Sequence, residues 1–299
     1  MALKIIVDSG SDIPKELVEK YNLIVLPLTV ISGDKEYSDG VDITSKELTD
    51  RMKEGEVFTT SQVTYEQFYN KFKEEIIKGN EIVYIALSAG ISGCYNSGVL
   101  AMNDILKEYP EASVDVINSN CASLAIGLIA IRAAILVENG FESKYIIEKI
   151  KFLADNIEHY FTVDDMKYLH RGGRVTATQK ILGGMLNIKP MLTVNKENGK
   201  LVPIDKGRGL KQVYRKIISR IKEDTINNEI LKTQTMAIVH SDSLENALEL
   251  KNMIANELGI ENIIVGNIGS TISAHTGPGC IAVFINKKEI GDEIDIFKY

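Results

Sequence analysis

A predicted strand, followed at once by a turn of small residues and a helix, is the pattern that most constrains this chain. Residues 82–87 (IVYIAL) form an apolar run with the length and composition of a buried strand. The turn SAGISG at 88–93 follows, and the apolar residues of 99–106 then fall on one helical face. Backbone N–H groups and the Ser92 hydroxyl would lie at a helix N-terminus, which attracts anions. The pattern predicts an anion site at Ser92; the alternative is that Ser92 only caps the helix.

The composition is typical of a soluble globular protein of about two domains. The chain has 299 residues, of which 44% are hydrophobic and 25% are charged. Its formal charge of −7 disfavours general nucleic-acid binding, which needs a basic surface. Cys94, Cys121 and Cys280 are far apart and show no metal-ligand spacing, so we expect reduced thiols in a cytoplasmic protein. No signal-peptide pattern precedes the first strand, and no apolar run has membrane-spanning length.

The first half of the chain is predicted to be an α/β domain at 1–157. Apolar strands alternate with helices, which is typical of a mainly parallel, doubly wound sheet. Two apolar runs, 24–31 and 37–41, flank a turn at 33–36 and predict a hairpin within this domain. The segment 121–136 is apolar on nearly all faces and is therefore predicted to be a buried helix.

The second half, at 158–299, is predicted to be another α/β domain. Two apolar runs that flank 195–200 predict a hairpin at 191–204. Apolar residues in 210–221 recur at helical spacing and predict an amphipathic helix, and further strands and a helix follow.

Polar residues that could bind a ligand occur in two further segments. Thr60, Ser61 and Gln62 come directly before a predicted helix at 65–78, where a hydroxyl can cap the helix or orient a ligand. His275 begins the sequence HTGPG between two late strands, where glycine and proline ordinarily mark a turn. From the residues alone, both segments have a structural explanation as well as a functional one.

A basic cluster of Lys206, Arg208 and Lys211 is predicted at the start of a helix. Positive charge at that end opposes the helix dipole, so helix stability does not explain the cluster. The alternatives are a functional contact and a solvated basic face.

Five segments of the chain, in their order, resemble the signature segments of the DegV family. They are TSQ at 60–62, SAGISG at 88–93, DDMKYL at 164–169 with GGR at 172–174, IKP at 188–190 and HTGPG at 275–279. One such segment is weak evidence, but five in order are specific, and the resemblance covers essentially the whole chain. The family includes the FakB fatty-acid-binding subunits of bacterial fatty acid kinase.

The resemblance implies a protein of two α/β domains with one long-chain fatty acid buried between them. The residues matching Thr60 and Ser92 would hold the carboxylate, with His275 close by. The segment 270–280 would be a loop that returns to this inter-domain site. Three neighbours would support the site: Ser61, Gln62 and Gly93. The fatty acid is the implied ligand, and neither a cofactor nor a metal is expected.

The resemblance also implies a partner. In this family a separate ATP-binding subunit, FakA, converts the carboxylate to an acyl phosphate, so this chain would have no activity of its own. The position matching Arg208 belongs to the docking surface for that kinase, and we assign Lys206 to it as well. A transient contact with a membrane surface would allow lipid exchange. Two departures from the family pattern bear on these sites, because Cys94 replaces the usual Thr and Gly207 replaces a common Val.

Two other classes of function stay open from the residues. A serine hydrolase would use Ser92 as nucleophile and His275 as base, since GISG lies between a predicted strand and a predicted helix. The nucleophile-elbow motif, however, needs Gly at position 94, and no acidic residue is assignable to orient His275. A binding protein for a polar anionic metabolite would use the same helix N-terminus.

Overall fold

A parallel sheet of four strands forms the centre of the first half of the protein. The structure is a computed structural model, and it describes residues 2–176, 187–225, 229, 232 and 234–291. The four strands are β1 (Leu3–Asp8), β2 (Ile24–Leu26), β6 (Glu81–Ala86) and β7 (Val114–Asn118). Their order is β2-β1-β6-β7, and every neighbouring pair is parallel. The predicted parallel sheet is therefore confirmed.

A small antiparallel sheet lies beside it. Its strands are β3 (Thr29–Ser32), β4 (Lys35–Ser38) and β5 (Thr59–Ser61), with β3 in the middle. The pairing of β3 with β4 confirms the predicted hairpin. The run 24–31 is nevertheless two strands and not one, because Pro27 has no N–H to donate to a ladder. Its first part joins the parallel sheet as β2, and its second part is β3.

A mixed sheet of six strands forms the second half. The strands are β8 (Ile157–Thr162), β9 (Ile188–Val194), β10 (Leu201–Arg208), β11 (Met236–His240), β12 (Ile263–Asn267) and β13 (Ile281–Asn286). Their order is β10-β9-β8-β13-β11-β12. The pair β11–β12 is parallel and the other pairs are antiparallel. The predicted hairpin of β9 and β10 is confirmed.

Ten described α-helices surround or connect these sheets. They are α1 (Lys15–Lys20), α2 (Ser45–Lys53), α3 (Tyr65–Ile77), α4 (Cys94–Glu108), α5 (Leu124–Glu138), α6 (Ser143–Asn156), α7 (Lys167–Arg171), α8 (Leu210–Asp224), α9 (Leu244–Leu258) and α10 (Ser270–Thr276). Helix α8 confirms the amphipathic pattern of 210–221, because its apolar side chains are buried. Within the described part of the chain, no helix combines the length and apolar character needed to cross a membrane.

The helix α5 joins the cores of the two sheets. Every residue from Leu124 to Leu136 is buried, as the predicted buried helix requires. The helix packs against β1 and β6 of the first sheet and against β8, β11 and β13 of the second. Even Arg132 is buried, and its guanidinium donates to Asn286 Oδ1 at 2.5 Å and to the carbonyl of Thr235 at 3.2 Å. The largest apolar core is consequently continuous between the two halves.

The predicted loop at 270–280 is wrong in part, because its first seven residues form the helix α10. The sequence STISAHT lacks a long apolar stripe, and glycines flank it at 269 and 277, so its composition is typical of a turn. The short turn that follows leads into β13. The predicted division of the chain at 157 and 158 stays a prediction; the six-stranded sheet takes its first strand from Ile157 onward.

The basic cluster was also assigned to the wrong element. Lys206 and Arg208 lie in the strand β10, and α8 begins at Leu210. Gly209 separates strand from helix with a φ of 77°, a conformation that glycine adopts without strain. The conflict between this positive charge and a helix dipole therefore does not apply to Lys206 or Arg208.

Candidate functional site

A cavity of about 320 Å³ lies between the carboxyl edge of the four-stranded sheet and one face of the six-stranded sheet. In open α/β sheets, ligands bind outside the carboxyl ends of the strands. Apolar side chains from both halves form much of the wall, among them Leu28, Leu87, Phe161, Val194, Leu201 and Phe284. Polar side chains also line it, and they include every residue that the sequence predicted for carboxylate binding: Thr60, Ser92 and His275.

Thr60 and His275 meet through a side-chain hydrogen bond. Thr60 Oγ1 lies 2.7 Å from His275 Nε2, although 215 residues separate them in the chain. Thr60 is held in β5, where it pairs with Val30, and His275 lies in the last turn of α10. The prediction that Thr60 or Ser61 caps the following helix is wrong, since Thr64 accepts from the Gln67 N–H and caps α3.

His275 is a neutral side chain at neutral pH. Burial, and then the nearby positive charge of Arg174, lowers the pKa of His275 to about 4. Its Nδ1 has no hydrogen-bond partner among the described residues. This nitrogen lies against Gly172, where a Cβ atom would come within 2.1 Å of it. In a catalytic triad an acid would occupy that position, so the geometry does not support the serine hydrolase.

Ser92 precedes α4 and lines the cavity. Its Oγ accepts from the N–H of Cys94, the first residue of α4, at 3.2 Å, whereas the N-cap position is Gly93. The supporting residues Gln62 and Gly93 pack directly against each other, because a Cβ at position 93 would lie 1.7 Å from Gln62 Oε1. Gln62 in turn donates to Ser97 Oγ at 2.5 Å. This contact joins the turn at 88–93 to the strand that carries Thr60.

Arg174 is a residue that the sequence analysis did not assign to the cavity. Its side chain lines the cavity, its Nε donates to the carbonyl of Ile91 at 3.1 Å, and its Nη1 donates to the carbonyl of Gly172. The side chain is half-buried, and that burial lowers the pKa of the guanidinium. No carboxylate forms an ion pair with Arg174 among the residues that the structure describes. A cation in this situation favours an anionic ligand.

Two aspartate side chains, Asp12 and the buried Asp39, hold the start of the helix that carries His275. Asp12 accepts from the N–H of Gly269 at 2.9 Å, and Asp39 accepts from the N–H groups of Ser270 and Thr271 at 3.0 and 3.2 Å. They accept from N–H groups at the start of α10 that have no partner within the helix. The sequence did not identify them, because each is more than 200 residues from its partners.

Cys94 does not form part of the cavity wall. It is buried, and this burial raises the pKa of its thiol to about 12, so it is a neutral core residue. The three cysteines are free. Among the described residues, no group of three or more His, Cys, Asp or Glu side chains could hold a metal ion.

The predicted docking residues Lys206 and Arg208 lie outside the cavity, on β10. Both are exposed, and neither forms an ion pair with a described residue. Arg208 pairs with Ile188 at one end of the β9–β10 hairpin, and the pair Val194–Leu201 lies at its other end. That end lies near Asp164, which follows β8 and binds Lys189 at 2.8 Å. Lys211 differs, because it is paired with Glu249 at 3.2 Å.

Comparisons with known proteins agree with this geometry. The family model described as "Uncharacterised protein, DegV family" matches residues 2–288. A DegV domain-containing protein of Clostridium perfringens is 35% identical over 94% of this chain and 96% of its own.

Solved structures show the same fold. A DegV family protein from Thermus thermophilus, described for its fatty acid binding, has a TM-score of 0.85 and 28% identity, over 95% of this chain and 99% of that one. A stearic acid-binding protein from Eubacterium ventriosum has a TM-score of 0.84 and 26% identity, over 95% and 98% of the two chains. From the match along nearly its whole length, this chain belongs to the DegV family.

Proposed function

We propose that this protein binds one long-chain fatty acid in the cavity and presents its carboxylate to a separate ATP-dependent kinase subunit. The observation that carries the proposal is a largely apolar cavity that also contains a half-buried Arg174, whose guanidinium forms no ion pair with any described carboxylate. Burial of an alkyl chain stabilises a complex by about 0.8 kcal/mol for each CH₂ group. A carboxylate instead needs hydrogen-bond donors or a cation, because burying it unpaired is costly. The fatty-acid-binding relatives support the same ligand class.

Thr60, Ser92 and Arg174 are the proposed donors to the carboxylate. With its proton on Nε2, His275 donates to Thr60 Oγ1, and the Thr60 O–H is then free to donate to the ligand. Ser92 can donate its hydroxyl hydrogen while its oxygen accepts from Cys94. His275 is thus a positioning residue for Thr60, and Ser61, Gln62 and Gly93 support the same wall.

The proposed reaction takes place at this carboxylate. One carboxylate oxygen attacks the γ-phosphorus of ATP, a new P–O bond forms, the bond to the β-phosphate oxygen breaks, and ADP leaves. The attacking oxygen must be ionised, and the charge of Arg174 favours the ionised form. The chain contains no G-x-x-x-x-G-K-[ST] phosphate-binding loop, so the proposed source of ATP is a FakA-type partner.

Arg208 and Lys206 are the proposed contacts with that partner. They are exposed and without a described ion-pair partner, on a chain whose formal charge is −7. A positively charged patch on a chain of net negative charge can bind an acidic partner surface. Complementary charge there raises the association rate and fixes the orientation of the two proteins. A cytoplasmic location, and transient contact with a membrane surface for lipid exchange, are part of the same proposal.

Reconstitution tests this function. The protein, a FakA-type kinase subunit, ATP and oleate are combined, and acyl phosphate is trapped with hydroxylamine as the hydroxamate. Product is expected only when both proteins are present. Equal product from the kinase alone would contradict the proposal, as would product from this protein alone. The hydrolase alternative is tested in parallel, since a hydrolase would cleave p-nitrophenyl esters faster than its Ser92→Ala variant does.

A further inference from the structure

The cavity wall contains a row of side chains that crosses four neighbouring strands, β13, β8, β9 and β10. Phe284 on β13 lies opposite His159 on β8. The antiparallel register of β8 with β9 brings Val194 to the level of His159, and Val194 lies opposite Leu201 on β10. All of these side chains line the cavity, so they share one face of the six-stranded sheet. We call Phe284, His159, Val194 and Leu201 the end row.

The end row lies far along the strands from the proposed carboxylate site. Cys280, Ala282 and Phe284 alternate along the chain and all line the cavity, which therefore extends along β13. Cys280 follows the turn after α10, the helix whose last turn contains His275. At about 3.3 Å per residue, Phe284 lies about 13 Å beyond Cys280. The end row is thus at the end of the cavity away from His275.

The protein is closed behind the end row by the turn at 195–200, which joins β9 to β10. The carbonyl of Gly199 accepts from Ser88 Oγ at 2.8 Å, and the carbonyl of Lys196 accepts from Asn120 Nδ2 at 3.1 Å. These bonds anchor the turn to two loops of the first half. All members of the end row are also buried. An acyl chain that reaches the end row therefore meets packed protein and not solvent.

The end row offers apolar contact to a ligand. The Phe284 ring meets the His159 imidazole edge to face, with 5.3 Å between the ring centroids. Nε2 of His159 accepts from the N–H of Ala122 at 3.2 Å, and Nδ1 is enclosed by protein. Burial, and then the charge of Lys196, lowers the pKa of His159 well below its ordinary value, so the ring is neutral. The terminal methyl group of an acyl chain suits such a surface.

We propose that the end row is the stop for the methyl end of the bound fatty acid, and that it sets the longest acyl chain that the cavity accepts. The inference rests on the proposed function, because it assumes that the carboxylate lies at the opposite end, near Arg174. Each CH₂ group that enters the cavity raises the affinity about fourfold. Once the methyl group reaches the end row, a longer chain must bend or pull the carboxylate away from its donors, and the affinity falls.

A series of saturated acids, from lauric to behenic acid, tests the inference. Each acid displaces a fluorescent fatty acid from the purified protein. For the wild type, the affinity should rise about fourfold per CH₂ up to one preferred length and fall for longer acids. Phe284→Leu shortens the side chain at the stop, so its preferred acid should be a longer member of the series.

Phe72→Leu is the matched control. Phe72 is buried in the same apolar core as Phe284 but is not in the cavity wall. This variant should keep the preferred length of the wild type. If the affinity of the wild type rises through the whole series, or if Phe284→Leu keeps the wild-type preference, this inference is wrong. If the wild type binds none of these acids, the proposed function itself is wrong.

A measurement on the wild type covers the case in which Phe284→Leu does not fold. The α,ω-dicarboxylic acid of the preferred length has a second carboxylate in place of the methyl group. It should bind at least about tenfold more weakly than the fatty acid of that length, because this carboxylate would be buried without a partner at the end row. Equal affinity would show that the far end of the cavity is open to water, and would overturn the inference without any variant.

Discussion

Replacing Arg174 with methionine removes the positive charge from the cavity while keeping a long apolar side chain. If the guanidinium binds a fatty-acid carboxylate, the variant loses a hydrogen bond to a charged group, worth about 1.5–3 kcal/mol. That loss corresponds to a Kd raised about tenfold to 150-fold. The free energy of unfolding of the ligand-free protein should change by less than about 1 kcal/mol. The substitution removes two hydrogen bonds to carbonyls, which lowers the stability. It also removes a charge that burial disfavours, which raises the stability and offsets part of that loss.

Fluorescent fatty-acid displacement measures the affinity, and denaturant unfolding measures the stability. Arg171→Met is the matched control, because Arg171 is on the other side of the same Gly-Gly turn, exposed, with its guanidinium 5.3 Å from the Tyr168 ring centroid. The control should keep full affinity. Unchanged affinity in Arg174→Met would show that the guanidinium does not bind the carboxylate, and a large loss of apo stability with normal binding would make Arg174 a structural residue.

Three further predictions concern the other site residues. Thr60→Ala and Ser92→Ala should each weaken fatty-acid binding by about 1.5–3 kcal/mol, and unchanged affinity of the double variant in the displacement assay would exclude their role. The pKa of His275 is about 4 when folded and 6.5 ordinarily, so the unfolded chain binds more protons between these values. The stability contributed by the neutral His275 is thus fully present above pH 6.5. It is lost as the pH falls from 6.5 through 4, by up to about 3 kcal/mol. Urea unfolding of ligand-free wild type and His275→Ala should show this difference, and parallel pH profiles would contradict it. Arg208→Ala should keep its lipid but lower acyl-phosphate turnover several-fold, with weaker salt dependence than wild type. Lys211→Ala, which removes a lysine already paired with Glu249, should act like wild type in that assay, and equal loss in both variants would refute a specific role for Arg208.

The sequence was sufficient where a local pattern decides the structure. The apolar run at 82–87 predicted β6, and the small residues that follow it predicted the turn before α4. Helix α5 was predicted because a segment apolar on all faces is stable only when it is buried. Ser92 and His275 were predicted from a family resemblance and not from periodicity, and both line the cavity; their binding of a carboxylate stays a prediction.

The sequence was insufficient where contacts between distant segments decide the structure. Thr60 looked like a helix cap, but pairing with Val30 makes it a strand residue. Arg171 and Arg174 flank one Gly-Gly turn, and only the packing of that turn against Ile91 shows that Arg174 lines the cavity. Asp39 gave no local signal at all, since its function is to accept from N–H groups more than 200 residues away.

The most direct test of the account is the identity of the molecule that purifies with the protein. The protein is purified under gentle conditions, its intact complex is weighed by native mass spectrometry, and the organic extract is analysed for acids. A variant with a narrower cavity, Ala282→Phe, is the comparison, because Ala282 lines the cavity and is buried. We expect one long-chain fatty acid per wild-type chain and a reduced amount in the variant. A wild-type protein that carries no lipid and instead binds a small polar anion would contradict it.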